Sequence, residues 1–98
     1  MSDPHEAGRR LLEDAVLRGP GHLDPRLRES VAARRELPEE LRTLVEKVAH
    51  HAYKVTDEDF AALRERYAED ELFEIVVSAA LGAALDRVRA GLRALEQA

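Results

Sequence analysis

The stretch that decides the fold is LFEIVVSAALGAAL, residues 72–85, which has a single charged side chain, Glu74. Its spacing fits a helix and not a strand, because apolar residues recur every three and four positions. Placed on a helix, they fill three neighbouring lines: Leu72, Val76, Ala80 and Ala84; Phe73, Val77, Leu81 and Leu85; and Ile75, Ala79, Gly82 and Ala83. A helix that is apolar nearly all round is buried nearly all round. The stretch therefore predicts a long, largely buried helix.

Two arrangements would bury such a helix in so short a chain. The small residues Ser78, Ala79, Gly82 and Ala83 would let another helix approach closely. We expect that helix to come from a second copy, so that residues 72–85 form the interface of a homo-oligomer. The alternative is a central helix that the other helices of the same chain surround.

Helix signals continue outward from this stretch, and strand signals are absent. The first predicted helix covers residues 4–18, with Asp3 as N-cap and Pro4 in the first turn, and the second covers residues 25–35, after Asp24. The third begins at Leu37 and Pro38, and the fourth is capped by Thr56, with Asp59 three residues on. The fifth covers residues 69–97. The sequence thus predicts an all-α bundle of about five helices. We expect one domain, with residues 1–36 as an N-terminal helical arm and residues 37–98 as the core.

Composition narrows the class of protein. The 98 residues carry a formal charge of −5, which argues against nucleic acid or an anionic membrane as a partner. No apolar run is long enough to span a bilayer, and the first ten residues lack the order of a signal peptide. We therefore expect a cytoplasmic protein. Cysteine is absent, so this chain has no thiolate for metal binding or redox chemistry.

Polar residues concentrate at the end of the third helix, in HHAYKVTDE, residues 50–58. On a helical wheel His51 lies at the edge of the apolar side of the helix, beside Lys47. Burial and the lysine charge would lower the pKa of His51 there, which suits a general base. His50 lies on the opposite side, one turn beyond Glu46. The bland interpretation of His51 is a boundary side chain with one hydrogen bond. Adjacent histidines diverge on a helix, so we expect neither a metal site nor a cofactor.

From residue 37 to residue 95 the order of motifs resembles the AhpD-like, carboxymuconolactone decarboxylase superfamily. In that family a helix opens with a glutamate and ends in Cys-x-x-Cys with a following histidine. The segments that carry the resemblance are FAAL at 60–63, ELFEIVV at 71–77 and SAALGAALDR at 78–87. The resemblance implies a small AhpD-like bundle with a long C-terminal helix.

The catalytic part of the family pattern is missing. One alignment puts the two family cysteines at His51 and Lys54, the family histidine at Glu58 and the family glutamate at Glu39. A second alignment, shifted by one residue, uses Ala52, Val55 and Glu40 instead. Neither supplies a thiol. Between the fourth and fifth helices, Arg66, Tyr67 and Ala68 replace the usual Gly-Leu-Ser joint.

Three classes of function stay open at this point. The first is an oligomeric structural or small-ligand-binding protein without redox activity. The second is a cofactor-independent acid-base enzyme of the decarboxylase type. There His51 would carry the proton, Lys54 would hold a small substrate carboxylate, and Tyr53 or Glu58 would assist. The third is an accessory partner of another protein.

Overall fold

The computed structural model describes residues 6–97 and confirms an all-α chain with a long last helix. No strand occurs in this range. The first helix, α1, covers Glu6–Glu13 and runs on as a wider π-helical segment over Asp14–Arg18. The others are α2 Pro25–Ala33, α3 Arg42–His50 after a 3₁₀ turn at Glu39–Leu41, α4 Asp57–Ala61, and α5 Glu69–Gln97. The predicted N-cap Asp3 and first-turn Pro4 lie outside the described residues.

The core is built where α2 and α3 pack against the first half of α5. Its members are apolar side chains from every part of the chain between residues 23 and 79: Leu23, Val31, Leu41, Leu44, Val45, Leu63, Leu72, Ile75 and Ala79. Because Leu23 and Val31 belong to it, the N-terminal arm supplies part of the core.

The small residues of α5 form the crossing point with α2 of the same chain. Ser78, Ala79, Gly82 and Ala83 are all buried there. A β-carbon at Gly82 would lie only 2.1 Å from the carbonyl oxygen of Ala32, so the two backbones touch. The close helix approach predicted from these residues therefore occurs within one chain. It uses only one face of α5 and leaves the opposite face open.

Helix α3 ends at His50, before His51, which we predicted to continue the helix. His51 takes φ −144° and ψ 54°, which are not helical values, and the helix stops at His50. The buried residue of the last turn is Ala49, whereas Ala52, two residues beyond the helix end, is exposed. The wheel position predicted for His51 is therefore wrong.

Two side chains hold the segment between α1 and α2, which begins with Gly19, Pro20 and Gly21. Arg28 is 2% exposed and donates hydrogen bonds to the carbonyl oxygens of Val16, at 2.8 Å, and Gly19, at 2.6 Å. Glu74 of α5 accepts hydrogen bonds from the backbone N–H groups of His22 and Leu23, at 2.9–3.0 Å. The glycine-rich segment is thus fixed from both α2 and α5.

Candidate functional site

The residues predicted to carry chemistry come together in part, on an exposed turn. Tyr53 and Lys54 lie in the short 3₁₀ turn Ala52–Lys54 that follows α3, and His51 is the residue just before this turn. The rings of His51 and Tyr53 meet edge to face with centroids 6.1 Å apart, and the Lys54 Nζ lies 5.9 Å from the Tyr53 ring centroid. All three side chains are exposed, Tyr53 to 81%. Water therefore reaches every polar group of this cluster.

The two predicted carboxylates lie apart from that turn. Glu39 precedes α3 and pairs with Arg42 at 3.3 Å. Glu58 is in the exposed first turn of α4 and makes no hydrogen bond or ion pair within residues 6–97. Neither carboxylate contacts His51, Tyr53 or Lys54 in the described part of the chain, so the five residues do not form one site.

The adjacent histidines are both exposed, although we predicted this only for His50. His50 Nε2 lies 3.5 Å from Glu46, as expected one helical turn away. His51 is not at the core edge, because the chain leaves the helix at that residue. Both histidines border a shallow depression of about 390 Å³ along α3. The depression is open and has no enclosed end, so it does not shield a base from water.

Lys47, which we expected beside His51, forms an ion pair with Asp59 instead. Its ammonium group donates to both carboxylate oxygens of Asp59, at 2.8 and 3.0 Å. The Lys47 hydrogen bond, followed by one from the backbone N–H of Thr56, lowers the pKa of Asp59. The Thr56 N–H reaches Asp59 at 2.8 Å, which confirms the predicted capping interaction at the start of α4.

The joint before α5, at Arg66, Tyr67 and Ala68, is held by side-chain hydrogen bonds. The Tyr67 hydroxyl donates to Glu40 at 3.0 Å, and Arg66 lies 3.2 Å from the same oxygen. The pKa of Glu40 is lowered by its own backbone N–H and then by Tyr67, while burial raises the pKa of Tyr67. The Ala68 N–H donates to Glu71 at 2.8 Å and so caps α5. Glu40 thus links the start of α3 to the joint before α5.

Metal ligands do not converge anywhere in the described chain. Within residues 6–97, no group of three or more histidine, cysteine or acidic side chains is placed to hold an ion. The helices of the same range include none that is long and apolar enough to cross a bilayer.

The largest unexplained feature is the face of α5 that points away from α2 and α3. It carries an uncharged stripe, spaced by three and four residues, which we call the outer stripe: Phe73, Val77, Ala80, Ala84, Val88, Gly91 and Leu95. Phe73 is 69% exposed, Val88 44% and Leu95 72%. The stripe spans about 33 Å at about 1.5 Å per residue.

The outer stripe borders a groove between α4 and α5. The groove has a volume of about 280 Å³ and an apolar floor formed by Phe60, Leu72, Phe73 and Val76. Arg64 and Glu69, paired at 2.8 Å, stand at its rim. Sequence periodicity identified α5 as apolar on all sides. It did not separate this outer face from the core face, because the separation depends on where α2 packs.

Comparison with known proteins gives no relative for this arrangement: no family model, curated protein or solved structure matches the chain.

Proposed function

We propose that this protein is a self-associating helical module, an oligomeric structural protein that performs no thiol redox chemistry. The observation that carries the proposal is the outer stripe of α5. Three large apolar side chains, Phe73, Val88 and Leu95, face water in line along it. Contiguous exposed apolar surface on a small protein typically marks an interaction site.

The energy available from covering the stripe is substantial. Burying one exposed large apolar side chain contributes about 1.5–3 kcal/mol. A symmetric contact counts each such residue twice, because both copies contribute the same patch. Beyond Leu85, α5 buries little surface in its own chain: residues 86–97 are exposed except for the half-buried Leu92. Most helical stability in proteins comes from tertiary packing, so a partner that covers this segment would stabilise it.

The resemblance to the AhpD-like superfamily belongs to the same proposal. It is supported by the order of motifs over residues 37–95 and by an all-α fold that ends in a long helix. A thiol peroxidase or disulfide reductase needs a thiolate nucleophile, which this chain does not contain. We accordingly propose a divergent, thiol-free and cytoplasmic member whose role depends on association.

Replacing Phe73 tests the proposal. Phe73→Asp puts a charge on the bulkiest residue of the stripe, where burial against a partner requires desolvation. We expect sedimentation equilibrium to show a dissociation constant raised at least about tenfold, equivalent to about 1.4 kcal/mol. Tyr53→Asp is the matched control, since Tyr53 is 81% exposed and lies off the stripe.

Equal association constants for the two variants, or a native chain that is monomeric throughout, would overturn the proposal. Association with an unrelated protein through the same stripe would assign the accessory-partner role instead.

One observation favours a second candidate, an acid-base site for a small carboxylate. His51, Tyr53 and Lys54 offer a ring nitrogen, a phenol and an ammonium on one turn. Titration with benzoate, followed by NMR, tests it. Binding should shift the resonances of His51 and Lys54 while those of His50 stay fixed, and unchanged resonances at millimolar benzoate would reject this site.

A further inference from the structure

We infer that the outer stripe is covered by the α5 helix of a second copy running antiparallel to the first, with Phe73 of each copy packed over Gly91 of the other. The inference rests on the proposed self-association and adds its orientation and register. Aligning two antiparallel helices at the level of Gly82 places Ala80 beside Ala84 of the second copy and Val77 beside its Val88.

The sizes of the stripe residues favour this register. Bulky Phe73 is at the N-terminal end of the stripe and glycine is near its C-terminal end, with Ala80 and Ala84 between them. In the antiparallel register Phe73 of each copy meets Gly91 of the other, so the bulkiest and the smallest stripe residues pair twice. The alanines at the centre let the helix axes approach closely, as small interface residues do.

Gly91 supplies an independent observation. A glycine inside a helix destabilises it relative to alanine. At Gly82 the close approach of Ala32 explains the glycine, but a β-carbon at Gly91 would meet no atom within 4 Å outside its own helix. Residues 6–97 therefore give no packing reason for this glycine. Room for an aromatic side chain of a second copy provides one.

The charges along α5 select the antiparallel direction. The first turn is acidic, with Glu69, Asp70 and Glu71. The C-terminal part carries Arg87, Arg89 and Arg93 against Asp86 and Glu96. Arg87 also donates to the Ala49 carbonyl, and Arg89 also pairs with Glu13. Antiparallel packing brings acidic and basic ends together and opposes the helix dipoles favourably, whereas parallel packing stacks like charges.

Disulfide trapping tests orientation and register, and the cysteine-free chain provides a clean background. Full-length Val77→Cys and Val88→Cys variants are mixed under mild oxidation. We expect a disulfide-linked heterodimer from this mixture, little linked dimer from Val77→Cys alone, and little from Val77→Cys mixed with Leu95→Cys. Parallel packing would instead link Val77→Cys to itself, and that result would overturn the inference.

Bulk at Gly91 gives a second readout that does not need a disulfide. Gly91→Leu should weaken association at least about tenfold, while Ala90→Leu, an exposed neighbour off the stripe, should leave it unchanged. Equal effects of the two variants would contradict the register. A native chain that still dimerises but gives no Val77–Val88 link would reject this inference and leave the proposed self-association standing. A chain that never dimerises would reject both.

Discussion

Gly82 is the residue on which the packing of the bundle depends most directly. A methyl group there would sit 2.1 Å from the Ala32 carbonyl oxygen, a backbone atom that moves only if α2 moves. We expect Gly82→Ala to lower the free energy of unfolding by at least about 2 kcal/mol, as overpacking at a rigid contact does. Denaturant unfolding measures it.

Gly8→Ala serves as the control, because Gly8 lies in α1 with no neighbour within 4 Å of its β-carbon position. That substitution should be neutral or should stabilise by up to about 1 kcal/mol. Equal effects at the two glycines would show that α2 and α5 do not cross as described.

The two histidines show how a helix end alters a prediction. A helical wheel that includes residue 51 places His51 toward the core and His50 toward solvent. Because α3 ends at His50, both side chains are exposed. We now expect His50→Ala and His51→Ala each to change the free energy of unfolding by less than about 0.5 kcal/mol, the range of ordinary surface substitutions. A cost above about 1 kcal/mol for His51→Ala alone would restore its place at the core edge.

Among the elements, α4 is the shortest and depends on its first turn. The Asp59 carboxylate accepts hydrogen bonds from the Lys47 ammonium group and from the Thr56 backbone N–H. These interactions hold the pKa of Asp59 below the ordinary value of 3.8. A carboxylate whose pKa is lower in the folded state stabilises that state above the unfolded pKa. This stabilisation is lost as the pH falls through the pKa of the carboxylate in the folded state.

We therefore expect Asp59→Asn to lower the melting temperature at pH 7 and to make the melting temperature less sensitive to pH between about 5 and 2. Asp57→Asn is the control, since Asp57 is exposed in the same turn and makes no hydrogen bond or ion pair within the described residues. The same acid-side slope in the Asp59 variant and the native chain would remove Asp59 from this account.

Sequence patterns predicted the elements better than their ends. The bounds of α5 came out at residues 69–97 as expected, because its apolar run is long and Glu71 caps its start. The end of α3 at His50 was not predicted, since no glycine or proline marks it. The cap at Thr56 was predicted because the Thr-x-x-Asp spacing is a local signal that needs no tertiary contact.

At the scale of the whole molecule, the class of fold followed from periodicity, whereas the partition of α5 into two faces did not. Which face α2 covers depends on contacts between residues about 50 positions apart, such as Ala32 with Gly82. The buried Arg28 was missed for a similar reason: its partners are the carbonyl groups of Val16 and Gly19, which have no side-chain signature. Of the predicted site residues, only His51, Tyr53 and Lys54 came together, because they are neighbours in the sequence.

The central claim is that the outer stripe of α5 is covered in solution by another copy of the chain. Light scattering coupled to size-exclusion chromatography of the native protein, over a range of micromolar concentrations, tests this claim most directly. We predict a mass of at least twice the 11.0 kDa of one chain, falling toward the single-chain mass only on dilution. A constant mass of 11.0 kDa at every concentration would contradict the claim.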